Sequence, residues 1–192
     1  MNNAKKGFTL IELLVVIAIV AVLAVTVILT LNPAQLLRQA RDSNRTQDLA
    51  TMKSAISLYL ADVSSPVLGT STNCYATASS TQTGATCAAT RFAVAGTWIT
   101  SNALTIAGSG WIPVNFTAIS AGSPISALPA DPVNNATYYY AYRPDATNGT
   151  FEMNADMEST KFANGGSADV ESTDGGNSAT LYEVGTDPGL DL

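Results

Sequence analysis

The chain has 192 residues and no histidine. That absence excludes every mechanism built on an imidazole base or ligand, including Ser-His-Asp, Cys-His and the common zinc sites. Charge is scarce as well. Asp, Glu, Lys and Arg make up 12% of the residues, about half the share of an ordinary globular domain. The only cysteines are Cys74 and Cys87, so there is no CxxC metal knuckle. The net charge is -6, and an acidic chain lacks the basic face that phosphate recognition needs, so no nucleic acid partner is expected. No nucleophile–base pair or metal constellation stands out, and the chain does not read as an enzyme.

The few charges are unevenly placed. Residues 1–62 carry Lys5, Lys6, Arg38, Arg41, Arg45 and Lys53 against four carboxylates. Residues 63–130 hold a single charged side chain, Arg91. Residues 131–192 carry eleven carboxylates against Arg143 and Lys161. The order is a basic-flanked stem, a neutral Ser/Thr-rich middle and an acidic end.

What the sequence has in abundance is one apolar run. From Phe8 to Leu37 the only charge is Glu12, and between Leu13 and Leu31 only Thr26 and Thr30 are polar. A helix of that length is about 28 Å long, matching a bilayer core of about 30 Å. The run is too long for the apolar core of a secretory signal, and no small-x-small cleavage site follows it. It predicts a membrane-spanning helix. Glu12 is its anomaly. A carboxylate in such a segment costs about 2.5 kcal/mol or more, so it marks a partner or a function.

Lys5-Lys6-Gly7 followed by Phe8-Thr9-Leu10-Ile11-Glu12-Leu13-Leu14 resembles the processing site of type IV prepilins and type II secretion pseudopilins. The resemblance covers residues 5–31 directly. It implies cleavage after Gly7 by a prepilin peptidase, loss of the leader (residues 1–7), and methylation of the new N-terminus at Phe8. It implies that Glu12 pairs with the N-terminal amine of a neighbouring subunit during assembly. It also implies an ATPase-driven platform in the cytoplasmic membrane as a partner, a cytoplasmic N-terminus, an external head and finally an extracellular filament. The implied fold is α+β: a ladle-shaped pilin, with a long N-terminal helix packed on an antiparallel sheet. Residues 8–31 would form the membrane and filament-core helix, 32–63 its amphipathic continuation, and 64–192 a β-rich head with an acidic, loop-rich end.

The residues behind the apolar run suit that plan. Asn32-Pro33-Ala34-Gln35 reads as a fresh helix start, with a kink near residues 29–33. Leu49, Met52, Ile56, Leu60 and Val63 recur at spacings of three and four, one apolar stripe. Arg38, Arg41, Arg45 and Lys53 lie mostly off it, facing either solvent or acidic groups of adjacent subunits. Ser64-Ser65-Pro66 ends the helix.

In the head, 91–100, 111–119, 136–143 and 150–158 read as strands, the last two forming a hairpin through Pro144–Gly149. In the last strand Phe151, Met153, Ala155 and Met157 take the core face, and Glu152, Asn154, Asp156 and Glu158 face water or another subunit. Cys74 and Cys87 suit a single disulfide in an oxidising compartment. Leu128-Pro129-Ala130-Asp131-Pro132 resembles an LP-x-DP segment of major pseudopilins. Asp169, Glu171 and Asp174, among glycines, are candidate calcium ligands, with a solvated acidic loop as the plainer reading.

Three functions stay open on the sequence. The first is a structural subunit of a type IV pilus-like filament, a homopolymer that rests in membrane lipid before assembly. The second is a major pseudopilin of a type II secretion system. The third is a single-pass membrane-anchored adhesin or binding module, which would leave Glu12 without a partner.

Overall fold

The computed structural model describes residues 7–77, 86–89 and 91–192. Lys5, Lys6 and the rest of the leader before Gly7 lie outside the described residues. The chain divides into two compact units, Met1–Leu37 and Arg38–Leu192.

In the first unit, helix α1 spans Leu10–Leu31. Its leucines, isoleucines and valines need no turn chemistry to stay helical, since the backbone groups of the helix interior bond to one another. Asn32 closes α1 in the left-handed region (φ 39°), a conformation that asparagine tolerates better than most side chains. Helix α2 runs Pro33–Asp62. Asn32 also opens α2: its carbonyl accepts the first bonds, from Gln35 and Leu36 N–H.

The second unit is an α+β head, built on the α2 residues from Arg38 onward and a five-stranded sheet. The strands are β1 (Asn73–Ala76), β2 (Thr97–Thr100), β3 (Ala141–Asp145), β4 (Thr150–Ala155) and β5 (Tyr182–Gly185). Their order is β2-β1-β3-β4-β5. Only β1–β2 is parallel; the other pairs are antiparallel. One face of the sheet presents Tyr75, Tyr142, Phe151, Met153 and Val184 to the α2 stripe of Leu49, Met52, Ile56 and Tyr59. Trp111, Val114 and Phe116 from the long connection before β3 complete this core. Burying one such side chain is worth about 1.5–3 kcal/mol.

Two sequence expectations change outright and one is trimmed: of residues 91–100 only Thr97–Thr100 is a strand. Residues 111–119 are not a strand. They are a buried loop with a 3₁₀ turn at Phe116–Ala118 and one isolated bridge, Ala107 to Asn115. Pro113 sits within the run and cannot donate to a ladder. Second, the far face of β4 does not meet water: Glu152 and Asn154 are buried. The second face carries its own cluster of Cys74, Ala76, Cys87, Phe92, Tyr139 and Ala141, with Trp98 against it. Cys74 and Cys87 are joined as a disulfide with Cα atoms 6.2 Å apart.

Candidate functional site

The site that the sequence singles out lies at the start of α1. Thr9 is the N-cap, extended at φ -80° and ψ 153°. Its hydroxyl accepts from Glu12 N–H at 3.3 Å. In return, one Glu12 carboxylate oxygen accepts from Thr9 N–H and from the Thr9 hydroxyl, both at 2.7 Å. This is a capping box, in which two otherwise unpaired helix donors are satisfied reciprocally. A carboxylate near a helix N-terminus also complements the helix dipole. Gly7 stands in open space, where a Cβ would meet nothing within 4 Å. Phe8 is 88% exposed.

Around Glu12, the described apolar side chains of α1 point outward. Leu10, Ile11, Leu13, Leu14 and Ile17 are all more than half exposed. Water would not tolerate such a surface on a monomer, since exposed apolar patches of that size mark a membrane or a partner. The helix is long and apolar enough to cross a membrane.

Residues 2–28 match the family pattern described as the prokaryotic N-terminal methylation motif. The chain carries the hallmark of type IV pilins and pseudopilins. No curated protein and no solved structure matches the chain. The methylation motif implies processing by a prepilin peptidase and assembly with other pilin-like subunits. It supports a structural pilin-like or pseudopilin subunit, anchored through the apolar helix.

A second arrangement was not foreseen. Arg45 on α2 is fully buried, with Asp42 and Asp131, and Glu158 is nearly so. The Arg45 guanidinium is bidentate on Asp131, at 2.6 and 2.9 Å. It donates to Asp42 at 2.7 Å and reaches Glu158 at 2.6 Å. Arg41 donates to both oxygens of Glu158. Tyr138 places its ring 5.1 Å from the Arg45 guanidinium carbon. Burial alone would lower the Arg45 pKa; the bonds to Asp131, Glu158 and Asp42 outweigh it and raise the pKa. Arg41, followed by Arg45, holds Glu158 below its ordinary range.

These arginines therefore serve the pilin-like head of their own chain, not an open helix face. Asp131 belongs to the Leu128–Pro132 segment and also accepts from Val133 and Asn134 N–H. Asp42 accepts from Glu158 and Ser159 N–H. Trp111 adds a bond from its indole to Pro129 O at 2.9 Å. The cluster fastens α2 to both the 128–134 loop and the segment after β4. A signal for it was present: Arg45 lies four residues before Leu49, on the extension of the apolar stripe.

The acidic loop is also occupied by its own backbone. Asp169 accepts from Gly165, Glu171 and Ser172 N–H and from the Ser172 hydroxyl. The Ser172 bonds lead in pulling its pKa down to about 2. Glu171 is buried and accepts from Met157 and Asn164 N–H. Asp174 accepts from Gly176 and Glu183 N–H. Burial raises the pKa of Glu171 and of Asp174. Among the described residues, no group of three or more Asp, Glu, His or Cys side chains is arranged to hold a metal ion.

Proposed function

We propose that this chain is a structural subunit of a type IV pilus-like filament. Prepilin peptidase cuts after Gly7 and methylates Phe8, and the mature chain assembles through its apolar helix. The observation that carries this reading is the methylation motif over residues 2–28, continuous with an outward-facing apolar helix that holds one carboxylate. Lipid is the first solvent of that helix, and the helices of neighbouring copies are the second.

Glu12 supplies the registry. Its carboxylate is costly in an apolar phase, and the attraction of a cation strengthens as water is excluded. The α-amine of Phe8 on an adjacent copy is the cation that cleavage creates. Lys5 and Lys6 leave with the leader, so they cannot serve after processing. The membrane platform and its cytoplasmic ATPase extract the subunit outward, and the head then lies outside the cell.

The Leu128–Pro132 segment favours the second reading, a pseudopilin of a type II secretion system. Purified surface filaments test the filament reading against a membrane-anchored binding module. A subunit beginning at Phe8 with a methylated amine is the expected result of mass spectrometry and N-terminal sequencing. A membrane monomer that still begins at Met1 would overturn the proposal. Glu12→Ala is expected to abolish filaments while the protein stays in the membrane fraction; normal filaments would remove the pairing role. Calcium at Asp169, Glu171 and Asp174 is a separate proposal. An ion there has to displace backbone donors, and a melting temperature unchanged by chelator would remove it.

A further inference from the structure

On the second face of the sheet, a buried cation rests on the disulfide. Arg143 of β3 is 4% exposed. Its Nη1 donates to Cys74 Sγ at 3.3 Å and to Val94 O at 2.7 Å. Its Nη2 donates to Ser71 O at 3.0 Å and to Ala95 O at 3.2 Å. Each of these acceptors is neutral, and Nε has no partner. The carboxylates whose charge it feels are Glu152, its register partner on β4, and Asp145 on its own strand. Among the described residues, neither accepts a hydrogen bond from it. Glu152 accepts from the Asn154 amide and Leu192 N–H, and Asp145 from Thr147 and Asn148. Burial lowers the Arg143 pKa, and those two charges do not restore it. What this guanidinium lacks is an anion within bonding distance.

The packing brings the cation and both sulfurs together. A Cβ on Gly96 would fall 3.0 Å from Arg143 Nη1, 3.0 Å from Cys87 Sγ and 2.8 Å from Thr72 O. Glycine lets the backbone pass this close.

The two sulfurs differ in what holds them. Cys74 lies within β1, between β2 and β3. Cys87 opens the 3₁₀ turn Cys87–Ala89, and Thr86 and Ala88 on either side of it are exposed. Its N–H donates to Gly96 O at 3.2 Å, which ties the turn to the segment before β2. Both sulfurs are buried, so attack needs a local opening. Opening of the short turn bares Cys87 and leaves Cys74 in the sheet beside the guanidinium. A thiol of low pKa is the better leaving group, and an adjacent arginine lowers that pKa.

We propose that Cys74–Cys87 is a thiol–disulfide exchange site, attacked at Cys87, with Arg143 holding the Cys74 thiolate that leaves. The co-reactant is a dithiol. Its thiolate bonds to Cys87 Sγ, the S–S bond breaks, and the electron pair goes to Cys74 Sγ. The second thiol of the reagent then displaces Cys87 and closes the reagent's own disulfide. The dithiol gives up two electrons and two protons. The protein takes both electrons and one proton, on Cys87, while Cys74 stays a thiolate and the other proton goes to water. The site belongs to the head and does not rest on the filament reading.

The test is a redox titration of the full chain in detergent, with reduced and oxidised dithiothreitol, acid quench and thiol alkylation read by mass spectrometry. Arg143→Met is expected to shift the equilibrium toward the disulfide about tenfold or more, about 30 mV for a two-electron couple. Arg143→Lys keeps a cation there and is expected to restore most of that shift. Equal potentials in all three proteins would overturn the proposal, and so would equal shifts in the Met and Lys variants. A second measurement needs no variant. Wild type held with reduced glutathione under native conditions is expected to carry the adduct on Cys87 and a free thiol on Cys74, located by peptide mapping. An adduct on Cys74, an even division between the two, or no adduct would each overturn it.

Discussion

Removing Arg45 would strand three carboxylates in a dry place. Asp42, Asp131 and Glu158 all lean on its guanidinium, and breaking a buried ion pair from one side costs about 3–5 kcal/mol. Arg45→Met is therefore expected to lower head stability by that amount, read as a shift in the denaturant midpoint. Arg41 is part-exposed and meets only Glu158, so Arg41→Ala is expected to cost about 1 kcal/mol or less in the same assay. At this scale the sequence was legible where chemistry was unusual. Glu12 announced itself as the only charge in a thirty-residue apolar stretch. Arg45 showed only its place on the extension of the apolar stripe, because an arginine on a helix reads as solvated until its partner is known. That partner, Asp131, lies 86 residues away, beyond any local pattern.

At the scale of elements, both helices and the β3–β4 hairpin were readable, since each has a clear period or turn. The strands β1 and β5 were not. Each has four residues, too short for alternation to declare itself, and each joins the sheet through tertiary pairing. The 111–119 run misled in the opposite sense. Its apolar residues are buried as a strand's would be, yet they join the core as a loop, with Phe116 against Tyr59 of α2 and Trp111 against Tyr140. The disulfide reinforces the β1–β2 end of the sheet. Cys74 lies on β1, and Cys87 precedes β2 with a sequence separation of 13, a closure worth about 3 kcal/mol in the chain-entropy model. Replacing both cysteines by serine is expected to lower the thermal midpoint accordingly, with β2 amides exchanging first.

At the scale of the whole molecule, the division at residue 37 predicts separable behaviour. The head core draws on α2 only from Leu49 onward, and the ion cluster begins at Arg41. A fragment of residues 38–192 is expected to be soluble without detergent and to unfold in one cooperative transition, followed by circular dichroism. Failure to fold would mean that the first unit contributes to head stability. The charge distribution was the part of the global plan that the sequence stated openly. A basic-flanked stem and a nearly uncharged middle precede an acidic end, and nine of the eleven terminal carboxylates accept a hydrogen bond or a salt bridge within the head. What could not be read was that much of this acidity is structural rather than solvated.

The Arg45 cluster also sets a mechanical order. A pull transmitted along the chain into the head at Arg38 reaches Arg41 and Arg45 before it reaches Leu49, Met52 or Ile56. These ionic bonds tie α2 to two separate loops, so they bear load together instead of opening one after another. The apolar stripe behind them is shielded until the cluster ruptures. A subunit strained along its stem would thus resist stiffly at first and then yield abruptly, with the ions acting as a fuse ahead of the core.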